Sequence, residues 1–274
     1  MKTPADISLT ARYTAAAWEA LGLPHAERFS DRRGRFLFHA SMALERLLPG
    51  AGGGALLESA LMPRHLFLDQ WIRDHDIQQV VEIASGFSRR GVTFAGEGVR
   101  YVEVDRPNVM NRKVRRCADL PAEQRPVFLG LDATQSDFVE QVLSVCDPAL
   151  RTVVMTEGLS PYFDQEGYLG VLRQLWRVAA PLDAVFLTDV YLRPHGHFLL
   201  DRWIQFGSRA IALVADRIYL YLDSDDDIRA LFQRGGWKVL STHQPATDPA
   251  FTRGKHPRLS DLMRIVEARP ARHP

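Results

Sequence analysis

From residue 78 to the end of the chain, short apolar runs alternate with amphipathic stretches, and this rhythm limits the fold more than any other feature. The runs are residues 79–84, 99–104, 125–129, 152–156 and 184–190, followed after a longer interruption by 237–241 and 262–268. The first five are short, apolar and often β-branched, as expected of strands buried on both faces. Helical patterns lie between them at 110–117, 136–145, 167–179 and 228–233. Such alternation predicts an α/β fold, a parallel sheet with helices on both faces. Helical periodicity is weak between the last two runs, which suits an antiparallel final pair.

The first fifty residues read as helix instead. Leu9, Tyr13, Ala16, Ala17, Ala20 and Leu21 share one face over 8–21. Phe36, Leu37, Ala40, Leu44, Leu47 and Leu48 repeat the pattern after Ser30 and Asp31, two candidate N-caps. The glycine-rich stretch 49–54 reads first as a plain surface loop and otherwise as the candidate hinge. The expected organisation is a helical cap or lid over 1–54, then one domain over 55–274 with a helical substrate-side insertion at about 192–222. The plainer alternative packs the first helices on the back of the sheet. Asp223, Asp225, Asp226 and Asp227 read as a helix start, with carboxylates at the positive end of the dipole.

Composition narrows the partners. Thirty-four basic and 33 acidic side chains leave a net charge of +1, too little field for nucleic acid as main partner. No stretch reaches the ~18 apolar residues of a membrane span. Cys117 and Cys146, the two cysteines, supply neither a disulfide framework nor a four-ligand zinc site, so no metal is expected and a cytoplasmic location is.

In sheets of this kind ligands sit beyond the carboxyl ends of the strands. After the first run come the small residues Ala84, Ser85 and Gly86, which let a ligand approach the backbone closely. Asp105 ends the second run 19 positions beyond Gly86, where an acid can accept both hydroxyls of an adenosine ribose. It could equally cap a helix opening at Arg106-Pro107. The dinucleotide pattern GxGxxG is not met, because Ala84, Gly86 and Arg89 occupy its glycine positions. Asp132, beside Ala133, follows the third run as a partner for an adenine amino group or as an ordinary helix cap. Glu157 follows the fourth, where a carboxylate next to a buried strand requires a partner. Asp189 and Tyr191 close the fifth.

Residues 64–69, 80–90, 101–113, 156–162 and 235–237 resemble the leucine carboxyl methyltransferase family. Within it they look most like the bacterial polyketide-type O-methyltransferases, class I enzymes that use S-adenosyl-L-methionine. The likeness runs in order from about Ser8 to the last run. Its most specific pieces are Glu103-Val104-Asp105-Arg106-Pro107 with Lys113, and Thr156-Glu157-Gly158-Leu159-Ser160-Pro161-Tyr162. The resemblance implies a Rossmann-like, seven-stranded sheet with an antiparallel last strand and a helical N-terminal cap. It also implies S-adenosyl-L-methionine as cofactor and S-adenosylhomocysteine as product. Arg64 matches the arginine that holds the cofactor's methionine carboxylate, Gly86 the second loop glycine and Asp105 the ribose acid. Asp132 with Ala133 matches the adenine contact, and Glu157 the acid near the methionine amino group. Glu82, Ala84, Arg106 and Gly158 fall in the same binding segments. The chain departs from the family at Ala84, which replaces the first loop glycine, and at Ser88, where many members carry Asp.

Such enzymes build their substrate surface from the segment 193–221, which holds Arg193, His195, His197, Arg202, Trp203, Arg209, Tyr219 and Tyr221. His195, with Tyr162 and Tyr191, is the expected catalytic set, and His197 and His243 are further candidate bases. The expected activity is methylation of a small molecule, at a carboxylate or hydroxyl oxygen, in secondary-metabolite biosynthesis by a monomer or homodimer. Transfer to N or S, a nicotinamide-dependent oxidoreductase, and a cofactor-binding protein without turnover are the competing readings.

Overall fold

The computed structural model describes residues 7–46, 61–133, 135–193, 219–252 and 262–271. Strands β1 (Gln79–Ile83), β2 (Arg100–Asp105), β3 (Val127–Gly130), β4 (Thr152–Thr156), β5 (Val185–Tyr191), β6 (Trp237–His243) and β7 (Met263–Pro270) form one sheet in the order β3-β2-β1-β4-β5-β7-β6. The first five run parallel, and β7 is antiparallel to both of its neighbours. Every predicted run becomes a strand. The third starts two residues late, at Val127, after Pro126, which has no N–H to give a ladder.

Alternation along the strands divides the core. Val81, Ile83, Val102, Val104, Val154 and Phe186 face helices α7 (Phe138–Ser144), α8 (Gln165–Ala179) and α9 (Asp225–Arg234) through Val142, Leu172, Leu175 and Phe232. Val80, Tyr101, Val153, Met155 and Leu187 face the other way, onto Leu68, Trp71 and Ile72 of α4 (Met62–Asp74) and Phe94 of α5 (Arg90–Gly96). Each such side chain contributes roughly 1.5–3 kcal/mol on burial, so the two faces carry the stability of the sheet.

Neither α4 nor α5 follows from apolar periodicity, because charged side chains hold their inward positions: Arg64, His65 and Asp69 in one and Arg90 in the other are all buried. The acidic run does begin a helix. Ser224 caps α9 by accepting from the Asp227 N–H, while Asp227 accepts from the Asp223 N–H. At the N-terminus, α1 (Ile7–Ala20), the short α2 (Ala26–Phe29) and α3 (Arg32–Arg46) match the two predicted helices. Of the two candidate caps for α3, Asp31 takes the role, accepting from the Gly34 N–H at 2.8 Å. The glycine-rich hinge and most of the insertion, with His195, His197, Arg202, Trp203 and Arg209, lie outside the described residues. The insertion's two ends meet, Leu192 bridging to Leu222. Among the described residues no helix is long and apolar enough to cross a membrane.

Candidate active site at the strand ends

Strand register brings the predicted residues to one edge. Ile83 pairs with Val104, Asp105 with Gly130 and Thr156 with Thr188, so the segments after β1, β2, β3 and β4 leave the sheet side by side. The strand order reverses between β1 and β4, the point where an open sheet offers its crevice.

The loop after β1 is shaped by two left-handed residues, Ala84 (φ +58°) and Gly86 (φ +53°). Ala84 thus takes a positive φ without being glycine, and α1 lies so close that a Cβ on Gly86 would sit 3.3 Å from Ala11 Cβ. The departure at Ser88 is structural: its hydroxyl accepts from the Arg90 N–H at 3.2 Å, at the start of α5. Asp105 holds the loop from the neighbouring strand. Its carboxylate accepts from the N–H groups of Gly86 and Arg106, each at 2.7 Å. It therefore does not cap α6 (Pro107–Arg116), whose N-cap position belongs to Arg106. Burial pushes the Asp105 pKa up, against the pull of those two backbone donors. The Asp105 carbonyl accepts from the Leu131 N–H at 2.9 Å, which sets half-buried Asp132 and exposed Ala133 next along the rim. Asp132 is not the helix cap that the sequence allowed, since α7 begins at Phe138 behind Asp137.

A second group gathers where β4 and β5 end. Arg64 enters from α4, buried, and donates through Nε to Glu157 Oε1 at 2.9 Å and through Nη1 to Asp189 Oδ2 at 2.9 Å. Nη1 also contacts the Tyr191 hydroxyl. Burial opposes the Arg64 charge, but Tyr191, Asp189 and Glu157 outweigh it and raise the pKa further above the ordinary arginine value. Gly158 (φ +69°) donates its N–H to Asp189 Oδ1 at 2.7 Å and lies against the guanidinium, where an added Cβ would be 3.5 Å from both terminal nitrogens. Glycine lets the backbone after β4 pass against the guanidinium, where a side chain would be in contact with it.

Below these groups runs a buried ion network that the sequence reading missed. Arg90 donates to Asp69 at 2.7 Å, to Glu82 at 2.9 Å and to Glu157 at 2.7 Å, and Arg89 reaches Asp69 as well. Burial alone would push Glu157 up; His65, Arg90 and Arg64 reverse this and hold it well below the usual carboxylate range. Glu82, expected to touch cofactor, instead lies within the sheet. Its oxygens are taken by Arg90 and by the Tyr101 hydroxyl at 2.8 Å, so it supports Arg90 rather than facing the crevice. Burial raises its pKa against the pull of Arg90. A run such as Arg89-Arg90 looks solvated in sequence. The available signal was Asp69, five residues after Arg64 in an otherwise apolar segment.

The candidate catalytic tyrosines, Tyr162 and Tyr191, stand after β4 and at the end of β5. Burial raises the pKa of both, and Tyr162 is hydrogen-bonded to Thr10 of α1, so neither supplies a phenolate near neutral pH. His243 stands elsewhere, on β6, hydrogen-bonded to Ser241 at 2.8 Å and packed on Phe67.

The residues present suit S-adenosyl-L-methionine. An acid at the end of β2, an arginine at the ends of β4 and β5, and a network in which carboxylates outnumber arginines four to three all favour a cofactor bearing a sulfonium, an amino group and a carboxylate. Known proteins agree. Over 234 residues, 78% of this chain and 73% of the relative, the sequence is 25% identical to a Mycolicibacterium smegmatis protein named as a candidate S-adenosyl-L-methionine-dependent methyltransferase. In fold it is similar to a candidate methyltransferase from Thermobifida fusca YX (TM-score 0.61, 16% identity, 96% of this chain and 94% of that one). The same holds for a DUF574 family protein from Streptomyces avermitilis (TM-score 0.62, 14% identity, 95% and 96%). Magnesium protoporphyrin IX methyltransferase from Synechocystis, solved with S-adenosylhomocysteine, shares the fold at TM-score 0.50 with 13% identity, over 79% of this chain and 87% of that one. Residues 24–176 match the sequence model of the leucine carboxyl methyltransferase family, so the chain belongs to that family and is a class I S-adenosyl-L-methionine-dependent methyltransferase.

Proposed function

We propose that the enzyme methylates an oxygen of a small molecule, a carboxylate or a hydroxyl, in secondary-metabolite biosynthesis. The observation that carries the reading is the Arg64 cluster with Glu157, Asp189 and Tyr191, set across the crevice from Gly86 and Asp105. S-adenosyl-L-methionine supplies an activated methyl on a sulfonium when bound. Arg64, beside Gly158, holds the methionine carboxylate, and Glu157 the amino group. Ala84, Gly86, Asp105 and Arg106 take the ribose side, and Asp132 with Ala133 the adenine. Tyr162 and Tyr191 donate hydrogen bonds and orient the acceptor.

The family supports the carboxylate form. A carboxylate is ionised at neutral pH, so donors and the exclusion of water suffice. A hydroxyl acceptor requires a base, the role assigned to His195. Residues 1–54 serve as a lid over the 55–274 domain. Support comes from α1, which touches Gly86 through Ala11, Tyr162 through Thr10 and His65 through Trp18. Free Cys117 and Cys146 support action in a reducing cytoplasm.

A screen of small carboxylic acids and phenols with labelled methyl donor tests the reading. The expected product is a base-labile methyl ester, formed at a rate nearly independent of pH from 6 to 8. Turnover with phenols alone that vanishes in His195→Ala would select the hydroxyl form. Turnover confined to amines or thiols would overturn both.

A further inference from the structure

Trp18 of α1 stacks on His65 of α4, ring centroids 3.9 Å apart and planes within 18°. Both side chains are buried, and the imidazole edges face the ion network. Arg89 Nε donates to His65 Nε2 at 3.2 Å. Arg90 Nη2 offers a hydrogen to Nδ1 as Arg89 does to Nε2. The two Glu157 oxygens, 3.1 and 3.3 Å from Nδ1 and able only to accept, therefore decide the tautomer: Nδ1 carries the hydrogen and Nε2 is bare. That hydrogen is directed at Glu157, whose Oε2 lies 3.1 Å from Nδ1. The Arg90 Nη2 contact with Nδ1, at 2.9 Å, is then a close approach between two donors, and Nη2 gives its hydrogen to Glu157 at 2.7 Å. Burial lowers the His65 pKa, in keeping with a neutral ring.

His65 differs from the other two donors on Glu157. Arg64 also serves Asp189, and Arg90 also serves Asp69 and Glu82. His65 gives its one hydrogen to Glu157 alone, and its ring face is covered by a residue of the N-terminal helix. We propose that Trp18 and His65 form a positioning relay, in which α1 seated on the crevice orients the imidazole and the imidazole fixes the Glu157 carboxylate for the cofactor. Both are positioning residues, and the inference rests on the reading that Glu157 faces the methionine part. Binding linkage is reciprocal: whatever factor α1 seating adds to cofactor affinity, bound cofactor adds to α1 seating. Coupling at the lower end of the ordinary range corresponds to about 5- to 20-fold in affinity.

Titration calorimetry with S-adenosylhomocysteine on Trp18→Leu, His65→Phe and the double variant tests this. His65→Phe keeps a ring under Trp18 and removes the hydrogen bond, so a purely packing role would survive it. The relay predicts that each single variant binds about 5- to 20-fold more weakly and that the double is no weaker than the worse single. Trp18→Phe should bind within about twofold of wild type. On ligand addition, hydrogen exchange over 9–20 should slow in wild type and not in His65→Phe. Unchanged affinity in either single variant, or single effects that multiply in the double, overturns the relay. Should His65→Phe fail to fold, the Trp18→Leu and Trp18→Phe pair decides alone. Loss of affinity in Glu157→Gln together with normal affinity in Trp18→Leu would sink the relay and leave the assignment of Glu157 standing. Normal affinity in Glu157→Gln would sink both.

Discussion

Ala84 holds a left-handed backbone (φ +58°) at the mouth of the crevice, and for a residue with a Cβ that conformation costs about 1–2 kcal/mol. Glycine avoids the clash and gives back roughly 0.5–1 kcal/mol through the freer unfolded chain. Ala84→Gly should therefore stabilise the protein by about 0.5–1 kcal/mol, a rise of roughly 1–4 °C in thermal midpoint by calorimetry. A fall would mean that the Ala84 methyl packs usefully. At this scale much of the site was legible. Asp105, Glu157 and Gly158 stand directly at strand ends, where chemistry and position coincide in the sequence. Arg64 was found only through family resemblance, being a single arginine on a helix without apolar rhythm. His65, Arg89 and Arg90 were not legible, because a buried ion network and a solvated charged face have the same composition, and Asp69 was the one signal of it.

Elements are joined here by charge as well as by apolar packing. Glu103 on β2 and Lys113 on α6 pair at 2.7 Å, both fully buried, with Lys113 also 5.4 Å from the Phe29 ring of α2. Burial raises the Glu103 pKa to about 7 against the attraction of Lys113. Lys113→Met should strand that carboxylate and cost roughly 3–5 kcal/mol in denaturant unfolding. Adding Glu103→Leu should recover most of the loss, and an equally unstable double variant would contradict the buried-charge account. The network joining α4, α5 and β4 gives a second prediction. Glu157 and Asp69 have folded pKa values below their unfolded 4.5 and 3.8. Their stabilisation is therefore complete above those values and is lost as pH falls toward the folded ones. Glu82, whose pKa is raised, works in the opposite sense, so a single variant is needed to separate the contributions. The thermal midpoint should fall from pH 5 to pH 3, less steeply in Glu157→Gln; equal slopes would refute the role of Glu157. Strands were legible at this scale because two-sided burial demands unbroken apolar runs. Helices α4 and α5 were not, because their inward faces carry ions.

For the whole molecule, the alternating rhythm from residue 78 onward was enough to set the sheet, its helical layers and the edge at which ligand residues gather. What it left open was the placement of the N-terminal helices, which depends on contacts between residues far apart in the chain, such as Trp18 on His65 and Ala11 over Gly86. If these helices act as a lid, S-adenosylhomocysteine with an acceptor should slow hydrogen exchange over 9–20, and removal of the first twenty residues should abolish turnover. Protection confined to the loops after residues 84, 105, 132 and 157, with turnover intact after truncation, would refute the lid. In the proposed arrangement the cofactor lies across the ends of β1, β2 and β4 with Asp105 as its ribose partner. Calorimetric titration of wild type and Asp105→Ala with S-adenosylhomocysteine tests it most directly. One site per chain is expected in the wild type, with a loss of about 1.5–3 kcal/mol in the variant, the typical worth of hydrogen bonds to a charged group. Equal affinity in the two proteins would contradict it.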